Sequence, residues 1–515
     1  MTTAMGPKGT PAVEMIGINK RFGKVAANAD VNLRVMPGTV HGIVGENGAG
    51  KSTLMSVLYG FYTSDSGSIL VDGRKVSIRN SHEAIALGIG MVHQHFMLVD
   101  TLTALENVML GAEPHVLLHR AEAVVRAEVG ELMTSTGLRV NLDALVTDLS
   151  VGDRQRLEIL KTLYRGAKIL ILDEPTAVLT PQETEQLFGV LGRLRGQGTT
   201  IVLITHKLKE VMRLCDQVTV MRAGRVVQEV AIADTSIASL AEAMVGRKVQ
   251  MGRHGDTGKA AGAVLMRAAG VLVRDELKVV RLQGVGIELR AGEIVGVAGV
   301  SGNGQSELLE VLSGLLAPAE GRLEVAGRLF LAGAWMNPRT ARTLGVAHVP
   351  EDRHERAMVM NFQAWESAVL GYEWLAQYCH SGWMNHAHMR GATVDMMTRF
   401  DVRPGNVKLP CASFSGGNQQ KLVLARELGQ RPKVLLVGQP TRGVDIGAIE
   451  FIYTQLRAMR DAGCAVLVVS SELDEILALA DRVIVMNQGR ISGELPIAQC
   501  TEAKLGMLMV GEVAA

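Results

Sequence analysis

Aromatic residues are scarce in this chain of 515 residues, at 4% of the total, so its cores are expected to consist of Leu, Val, Ile, Ala and the 25 methionines. The five cysteines are far apart and form no C-x-x-C pair, which favours reduced thiols in a cytosolic protein. The net charge of +1 gives no basic footprint for nucleic acid, and the 47% apolar content is not that of a disordered chain.

Long hydrophobic runs are also missing. No uninterrupted apolar stretch is long enough to cross a bilayer, and residues 1–11 lack the hydrophobic core of a signal peptide. We therefore expect a chain that stays on the cytosolic side. Its length exceeds what one hydrophobic core serves, so two or more domains are expected.

A glycine-rich stretch organises the first half of the chain. It follows the short apolar run 40–44 and precedes the apolar-patterned segment 54–59, so it lies between a strand and a helix. Glycine amides and a helix N-terminus together make an anion site; Lys51 would reach the β- and γ-phosphates, and Ser52 would ligate Mg²⁺. The alternative is a simple glycine-rich turn. The residues are Gly45, Glu46, Asn47, Gly48, Ala49, Gly50, Lys51, Ser52 and Thr53.

The same landmarks occur twice along the chain, which indicates two homologous domains in tandem. The glycine loop at 45–52 returns at 299–306, and the segment 149–155 returns at 414–420. The apolar run that ends in Asp173-Glu174 returns as a run that ends in Gly438-Gln439. In each copy, strand-like and helix-like segments alternate, as expected of an α/β phosphate-loop domain.

The repeat sets the predicted domain bounds. We expect a loose N-terminal tail over 1–10, a first domain over 11–246 and a second over 263–515. The polar, Gly-containing stretch 247–262 is expected to be the linker. Helical spacing that includes residues 121–137 predicts a separate helical lobe.

Together these motifs resemble the ATP-binding cassette (ABC) superfamily over nearly the whole chain. Walker A is 45–52, the signature motifs are 149–155 and 414–420, and Walker B ends at Asp173. The glutamine loop matches Gln94 and the switch histidine His206. The resemblance implies an α/β chain of two tandem P-loop NTPase domains, each with a RecA-like core, an antiparallel β-subdomain and a helical lobe.

Within the superfamily, an intact first half with a degenerate second half resembles the ATPases of bacterial monosaccharide and nucleoside importers. Glu351-Asp352-Arg353 at the glutamine-loop position and Pro440 to Asp445 after the second Walker B match that group. Gly438-Gln439, with Ala177 to Thr180 in the first half, leans toward the nucleoside branch. A ribose- or galactose-like sugar importer is the alternative.

Cassettes of this family pair head to tail, which implies that each ATP lies between one Walker set and the other domain's signature. On that basis the first site has every part, and the losses all fall in the second. The second site has Gln305 for the lysine, Gly438 for the metal-binding aspartate and Ser471 for the histidine. We therefore expect no hydrolysis there. The first site comprises Lys51, Ser52, Gln94, Asp173, Glu174 and His206 with Ser415, Gly416, Gly417 and Asp445.

The resemblance also implies roles. Ser52 and Gln94 would ligate Mg²⁺, with Asp173 holding it through water; Glu174 would be the general base and His206 would contact the γ-phosphate. The alternative for Asp173 and Glu174 is a pair that caps the next helix.

Three further features have two possible roles each. Phe22 is at the adenine-stacking position of the family, and the alternative for it is ordinary packing. His93 and His95 have strand spacing, but no third or fourth metal ligand accompanies them. Glu351-Asp352-Arg353 is either an acidic turn or a contact with a membrane partner.

The implied partners are two transmembrane permeases and a periplasmic or lipoprotein solute-binding protein, with ATP and Mg²⁺ as cofactors and no nucleic acid. One chain, with its intramolecular cassette pair, would serve each transporter at the cytoplasmic face of the bacterial inner membrane. A ribosome-binding translation factor is the rival from another class. That group keeps both sites competent and has a long charged helical linker, unlike this chain. An intact Glu174 and His206 argue against a purely regulatory nucleotide sensor.

Overall fold

The structure is a computed structural model that describes residues 9–23, 25–93, 96–112, 118–176, 179, 181–247, 261–300 and 302–511. Most of the predicted tail and linker, together with Gln94 and His95, lie outside the described residues. Contacts divide the chain into two compact units, Met1–Val249 and Gln250–Ala515. Each unit is described separately below.

The first unit begins with a strand pair and continues as alternating strands and helices. Its elements are β1 (Val13–Phe22), β2 (Val25–Val35), β3 (Val40–Val44), α1 (Lys51–Leu58), β4 (Ser66–Val71), β5 (Arg74–Val76), α2 (Ser81–Ala86), β6 (Ile89–Val92), α3 (Ala104–Met109), α4 (Leu118–Thr136), α5 (Val151–Tyr164), β7 (Ile169–Asp173), α6 (Pro181–Gly196), β8 (Thr200–Ile204), α7 (Leu208–Leu214), β9 (Gln217–Arg222), β10 (Arg225–Ala231) and α8 (Ile237–Val245).

The central sheet of this unit has the order β10-β9-β3-β8-β7-β6. Strands β3, β7 and β8 are buried at all five positions, as expected of short Val-, Ile- and Leu-rich runs covered on both faces of a parallel sheet. Neighbouring strands β3, β8, β7 and β6 pair in parallel, so their carboxyl ends meet at one edge. The loops that follow these strands carry the predicted site residues.

Two further layers complete the first unit. An antiparallel sheet of order β2-β1-β4-β5 alternates buried and exposed positions, since one of its faces covers the core. Helices α3, α4 and α5 contact one another and form the helical lobe. Thr103 and Glu106 form a capping box that begins α3.

The second unit repeats this plan. Its elements are β11 (Val264–Arg274), β12 (Val280–Arg290), β13 (Ile294–Gly299), α9 (Gln305–Ser313), β14 (Glu320–Val325), β15 (Arg328–Leu331), α10 (Pro338–Thr343), β16 (Val346–Val349), α11 (Arg353–Arg356), α12 (Ala364–Val369), β17 (Cys379–His380), β18 (Trp383–Met384), α13 (His386–Arg399), α14 (Gly416–Leu428), β19 (Val434–Gly438), α15 (Ile446–Asp461), β20 (Ala465–Val469), α16 (Leu473–Leu479), β21 (Arg482–Asn487), β22 (Arg490–Pro496) and α17 (Glu502–Val510).

The sheets of the second unit have the orders β12-β11-β14-β15 and β16-β19-β20-β13-β21-β22, the same arrangement as in the first unit. The hairpin β17–β18 is an addition to its helical lobe. The predicted fold class, two tandem P-loop domains each with a RecA-like core, a β-subdomain and a helical lobe, is confirmed. In the described part of the chain, no helix has the length and apolar character to span a membrane.

Candidate active site

The glycine loop of the first unit joins β3 to α1. Lys51, the first residue of α1, is 6% exposed, and its Nζ donates to the carbonyl oxygens of Gly45 at 2.7 Å and Glu46 at 3.0 Å. The ammonium group is therefore held inside the ring of the loop. A cation and a helix N-terminus at one point favour a bound anion.

Glycine is required where this loop meets the β-subdomain. Gly50 has a φ of 97°, and a Cβ there would lie 2.3 Å from the carbonyl oxygen of Ala27. The Asn28 side chain donates to the Gly50 carbonyl at 3.1 Å. The β-subdomain thus packs directly on the backbone of the loop and fixes its curvature.

Asp173 ends β7 beside this loop. Its side chain is buried, the Ser52 hydroxyl hydrogen-bonds to it, and Oδ1 accepts no hydrogen bond from the described residues. Burial raises the pKa of Asp173, and the Ser52 hydrogen bond and the charge of Lys51 oppose that rise. An orphaned, buried carboxylate oxygen next to a hydroxyl suits a hard divalent cation.

Glu174 and His206 form a pair at the ends of β7 and β8. Glu174 Oε1 is 2.7 Å from His206 Nδ1, and the Glu174 amide donates to the Ile204 carbonyl at 2.9 Å. Glu174 has a φ of 51°, a strained conformation that this backbone hydrogen bond helps to hold. The carboxylate is 11% exposed, so it faces a site with little bulk water.

Sequence analysis missed the residues that support this pair. The Thr176 hydroxyl donates to the buried carboxylate of Glu210 at 2.6 Å, and Lys207 Nζ donates to the Thr176 carbonyl at 3.3 Å. Burial raises the pKa of Glu210. These contacts tie the loop after Glu174 to helix α7, which follows His206. No local sequence pattern marks these contacts, since Thr176 and Glu210 are 34 residues apart.

Phe22 lies at the end of β1 and is 43% exposed. Its ring meets Tyr62 edge-to-face, with centroids 5.1 Å apart, and Lys20 Nζ lies 5.5 Å from the ring centroid. Lys20 is in turn anchored to Asp65 at 3.2 Å. The ring is therefore oriented by its neighbours while much of its surface stays open to a ligand.

The glutamine loop lies largely outside the described residues, so the predicted roles of Gln94 and His95 receive no structural description. His93 contacts the aromatic rings of Tyr59 and Phe61. Burial lowers the pKa of His93. Among the residues described, no group of three or more His, Cys, Asp or Glu side chains is placed to hold a metal ion.

The predicted signature residues of the second unit are close to one another. Ser415 is at the N-cap position of α14 without a capping hydrogen bond from its side chain, and Asp445 caps α15 by accepting a hydrogen bond from the Ala448 amide at 2.8 Å. A Cβ at Gly417 would lie 3.5 Å from Asp445 Oδ2, so the start of α14 and the start of α15 are adjacent. Ser415, Gly416, Gly417 and Asp445 thus form one cluster within this unit.

The glycine loop of the second unit has different chemistry. Gln305 replaces the lysine, and its Nε2 donates to the Val300 carbonyl at 3.1 Å. The Ser306 hydroxyl donates to Glu351 Oε2 at 2.6 Å, whereas the equivalent Ser52 bonds to Asp173. Gly438 provides no carboxylate, and the Glu351 side chain fills the space beside it. The Glu351 carboxylate therefore lies beside this loop, and the loop itself has no ammonium group.

The pair at the strand ends is also replaced in the second unit. Gln439 keeps the positive φ, at 46°, and its amide donates to the Val469 carbonyl at 2.7 Å, as Glu174 does to Ile204. Its Oε1 accepts from the Ser471 hydroxyl at 3.1 Å. The backbone arrangement is thus conserved between the units, but an amide and a hydroxyl replace the carboxylate and the imidazole.

These features define a class: a phosphate-loop ATPase built from two cassettes. Among the residues described, a buried ammonium group in the loop, a carboxylate–hydroxyl pair and a carboxylate–imidazole pair occur together only in the first unit.

Comparison with known proteins identifies the family. The ABC transporter family matches residues 29–177 and 282–442. Similar relatives are the nucleoside import ATP-binding protein NupA of Lactococcus lactis (42% identity, 97% of this chain and 98% of the relative) and the guanosine import ATP-binding protein NupO of Bacillus subtilis (43%, 97% of each). The ribose import ATP-binding protein RbsA of Chromobacterium violaceum is 38% identical over 96% of each chain. The chain belongs to the ABC transporter family.

Among solved structures, the RNase-L inhibitor matches with a TM-score of 0.65 and 18% identity over 96% of this chain and 93% of its own. At that identity the match supports the fold alone. The predicted class, an ATP-binding import subunit with tandem cassettes, is confirmed by the relatives.

Proposed function

We propose that this chain hydrolyses ATP in its first unit and thereby drives import of nucleosides through separate membrane permeases. The main support for this proposal is the Glu174–His206 pair, which lies at the same edge of the central sheet as Lys51. A carboxylate 2.7 Å from an imidazole, with little exposure, is a suitable group for orienting water and accepting its proton.

Phosphate binding falls to the loop and Lys51. Its ammonium group can exchange its two loop carbonyls for phosphate oxygens, since both acceptors are neutral. Ser52 and Asp173 would hold Mg²⁺, and Gln94 is retained as a proposed ligand. When bound, this ion would offset the negative charge of the phosphates. The unpartnered Asp173 oxygen supports this fit.

Glu174 would polarise the attacking water while His206 orients the carboxylate and contacts the γ-phosphate. The strained backbone of Glu174 fixes the direction of its side chain, so little reorganisation is needed on reaction. We further propose that Phe22 stacks on adenine, and that Ser415, Gly416, Gly417 and Asp445 of the second unit complete the ATP site, as the resemblance implies.

The nucleoside assignment rests on the relatives, which are 42–43% identical where they are named for nucleoside or guanosine import and 38% identical where one is named for ribose. A sugar importer is therefore the second candidate. We propose a peripheral position on the cytoplasmic face of the inner membrane, with two permeases and an external solute-binding protein. One chain would supply both cassettes of each transporter.

The experiment is the Glu174→Gln substitution in the full chain, with ATP hydrolysis, ATP binding and uptake of labelled nucleosides measured together. Loss of the general base should lower kcat by about 10²-fold or more, while ATP affinity stays near that of the wild type. Uptake should fall in parallel.

Glu242→Gln provides a matched control, since Glu242 is an exposed residue of α8, outside the proposed site. Near-normal ATP turnover by Glu174→Gln would contradict the assignment of the base. Uptake of ribose in preference to nucleosides would leave the assignment of ATP hydrolysis unchanged and would favour a sugar importer.

A further inference from the structure

Arg353 follows β16 in the segment Glu351-Asp352-Arg353 and bridges two loops of the second unit. Its Nη1 donates to the Arg442 carbonyl at 2.9 Å, and its Nε donates to Gln419 Oε1 at 3.2 Å. Arg442 belongs to the loop before Asp445, and Gln419 is on the first turn of α14. One planar guanidinium therefore joins the two segments that carry the signature cluster.

The guanidinium also lies directly against the signature glycine. A Cβ at Gly416 would be 2.8 Å from Arg353 Nη2 and 2.9 Å from the Gly443 carbonyl. The side chain is partly buried, and burial lowers the pKa of the guanidinium. A partly desolvated cation held by two acceptors keeps a defined position. The absence of a Cβ at Gly416 thus leaves room for both the Arg353 guanidinium and the Gly443 carbonyl.

The first unit lacks both the arginine and the glycine of this contact. Its signature has Val151 at the position of Gly416, and that side chain is 43% exposed. Arg353 is the fourth residue after β16. The fourth residue after β6, at the equivalent position of the first unit, is Phe96. Arginine and glycine therefore occur together in the one signature that the proposed function assigns to the hydrolysing site.

We infer that Arg353 is a positioning residue for ATP hydrolysis, acting through the backbone of Ser415–Gly417 and the loop that leads to Asp445. The inference rests on the proposed function, in which those residues complete the ATP site. It assigns to Arg353 a role inside its own unit, and the acidic turn and the membrane-partner contact stay as the alternatives for the segment Glu351-Asp352-Arg353. Small displacements of positioning groups have large effects on rate, which makes the role measurable.

The test uses the purified full chain with Arg353→Ala, Arg353→Lys and the control Arg322→Ala, an exposed arginine on β14. Arg353→Ala should lower kcat by about tenfold or more, with KM for ATP changed by less than about twofold. Arg353→Lys should also lower kcat, by about threefold, because one ammonium group cannot maintain both contacts in the fork geometry of arginine.

Folding is checked inside the second unit, since all four tryptophans of the chain, Trp335, Trp365, Trp374 and Trp383, lie there. A variant with the tryptophan emission of the wild type and a lowered kcat supports the positioning role of Arg353. If Arg353→Ala unfolds, Arg353→Lys provides the test. A kcat for Arg353→Lys equal to that of the wild type overturns the inference. Turnover by Glu174→Gln would instead contradict the proposed function, so the two failures are distinguishable.

Discussion

The two units of this protein differ in their pairs of side chains more than in single residues. Glu174 with His206 and Gln439 with Ser471 occupy the same backbone frame, with the same positive φ and the same interstrand hydrogen bond. The hydrogen-bonding pattern survives in the second unit, while the ability to accept a proton from water does not. The second unit therefore keeps the local fold without a carboxylate at this position.

Phe22 gives a prediction at this scale. Replacing it with Ala should raise KM for ATP by about tenfold, because stacking of an aromatic ring on a base contributes about 1–3 kcal/mol. Phe22→Tyr should retain most of the affinity. Steady-state kinetics over a range of ATP concentrations measures the effect.

Phe61→Ala is the matched control, since Phe61 is an exposed aromatic ring of the same unit that packs on Tyr59 and His93. An unchanged KM in Phe22→Ala would support the alternative in which this ring only packs.

At the scale of elements, β3 places a polar side chain in the core beneath the phosphate loop. His41 is fully buried, its Nε2 is 2.8 Å from the Thr219 hydroxyl, and burial lowers its pKa to about 4. The folded state therefore holds a neutral imidazole, whereas the unfolded chain takes up a proton near the ordinary value of 6.5. The part of the unfolding free energy that depends on neutral His41 is complete above pH 6.5 and is lost as the pH falls toward 4.

We accordingly expect the first unit to lose roughly 2 kcal/mol of unfolding free energy between about pH 7 and about pH 5 through His41. His41→Gln should remove that part of the pH dependence, and urea unfolding at the two pH values measures it. His82→Gln, at an exposed histidine on α2, should retain the full dependence. Equal losses in His41→Gln and the wild type would contradict the prediction.

The elements that could be predicted from the sequence are those that residues close together in the sequence encode. The glycine loop, the buried strands before it and the repeat are encoded in contiguous residues, so the fold class was predicted. The contacts of Glu210 with Thr176 and of Arg353 with Arg442 join residues 34 and 89 positions apart. No local pattern encodes such contacts, because they depend on how strand ends converge at the sheet edge.

At the scale of the whole molecule, two units with one fold and unequal chemistry are joined in one chain. Neither unit has a membrane-spanning helix within its described residues. The proposed permeases belong to the proposed import function, which rests on the relatives named for import.

We expect two multi-span membrane proteins to co-purify with the tagged full chain from membranes extracted in mild detergent. Mass spectrometry identifies them, and a solute-binding protein of the same system, screened against nucleosides and sugars, distinguishes the two solute classes. A tagged, unrelated ATPase provides the background. Ribosomal proteins in place of permeases would support the translation-factor alternative.

The Glu351 side chain restricts which residues the second unit accepts at position 438. A Cβ at Gly438 would lie 2.4 Å from Glu351 Cγ and 3.0 Å from its amide nitrogen. Introducing a carboxylate by Gly438→Asp alone would therefore meet a steric clash with Glu351. Shortening Glu351 to make room would in turn cost the hydrogen bond that it accepts from Ser306. A metal site could thus be built at this position only by changing both residues together.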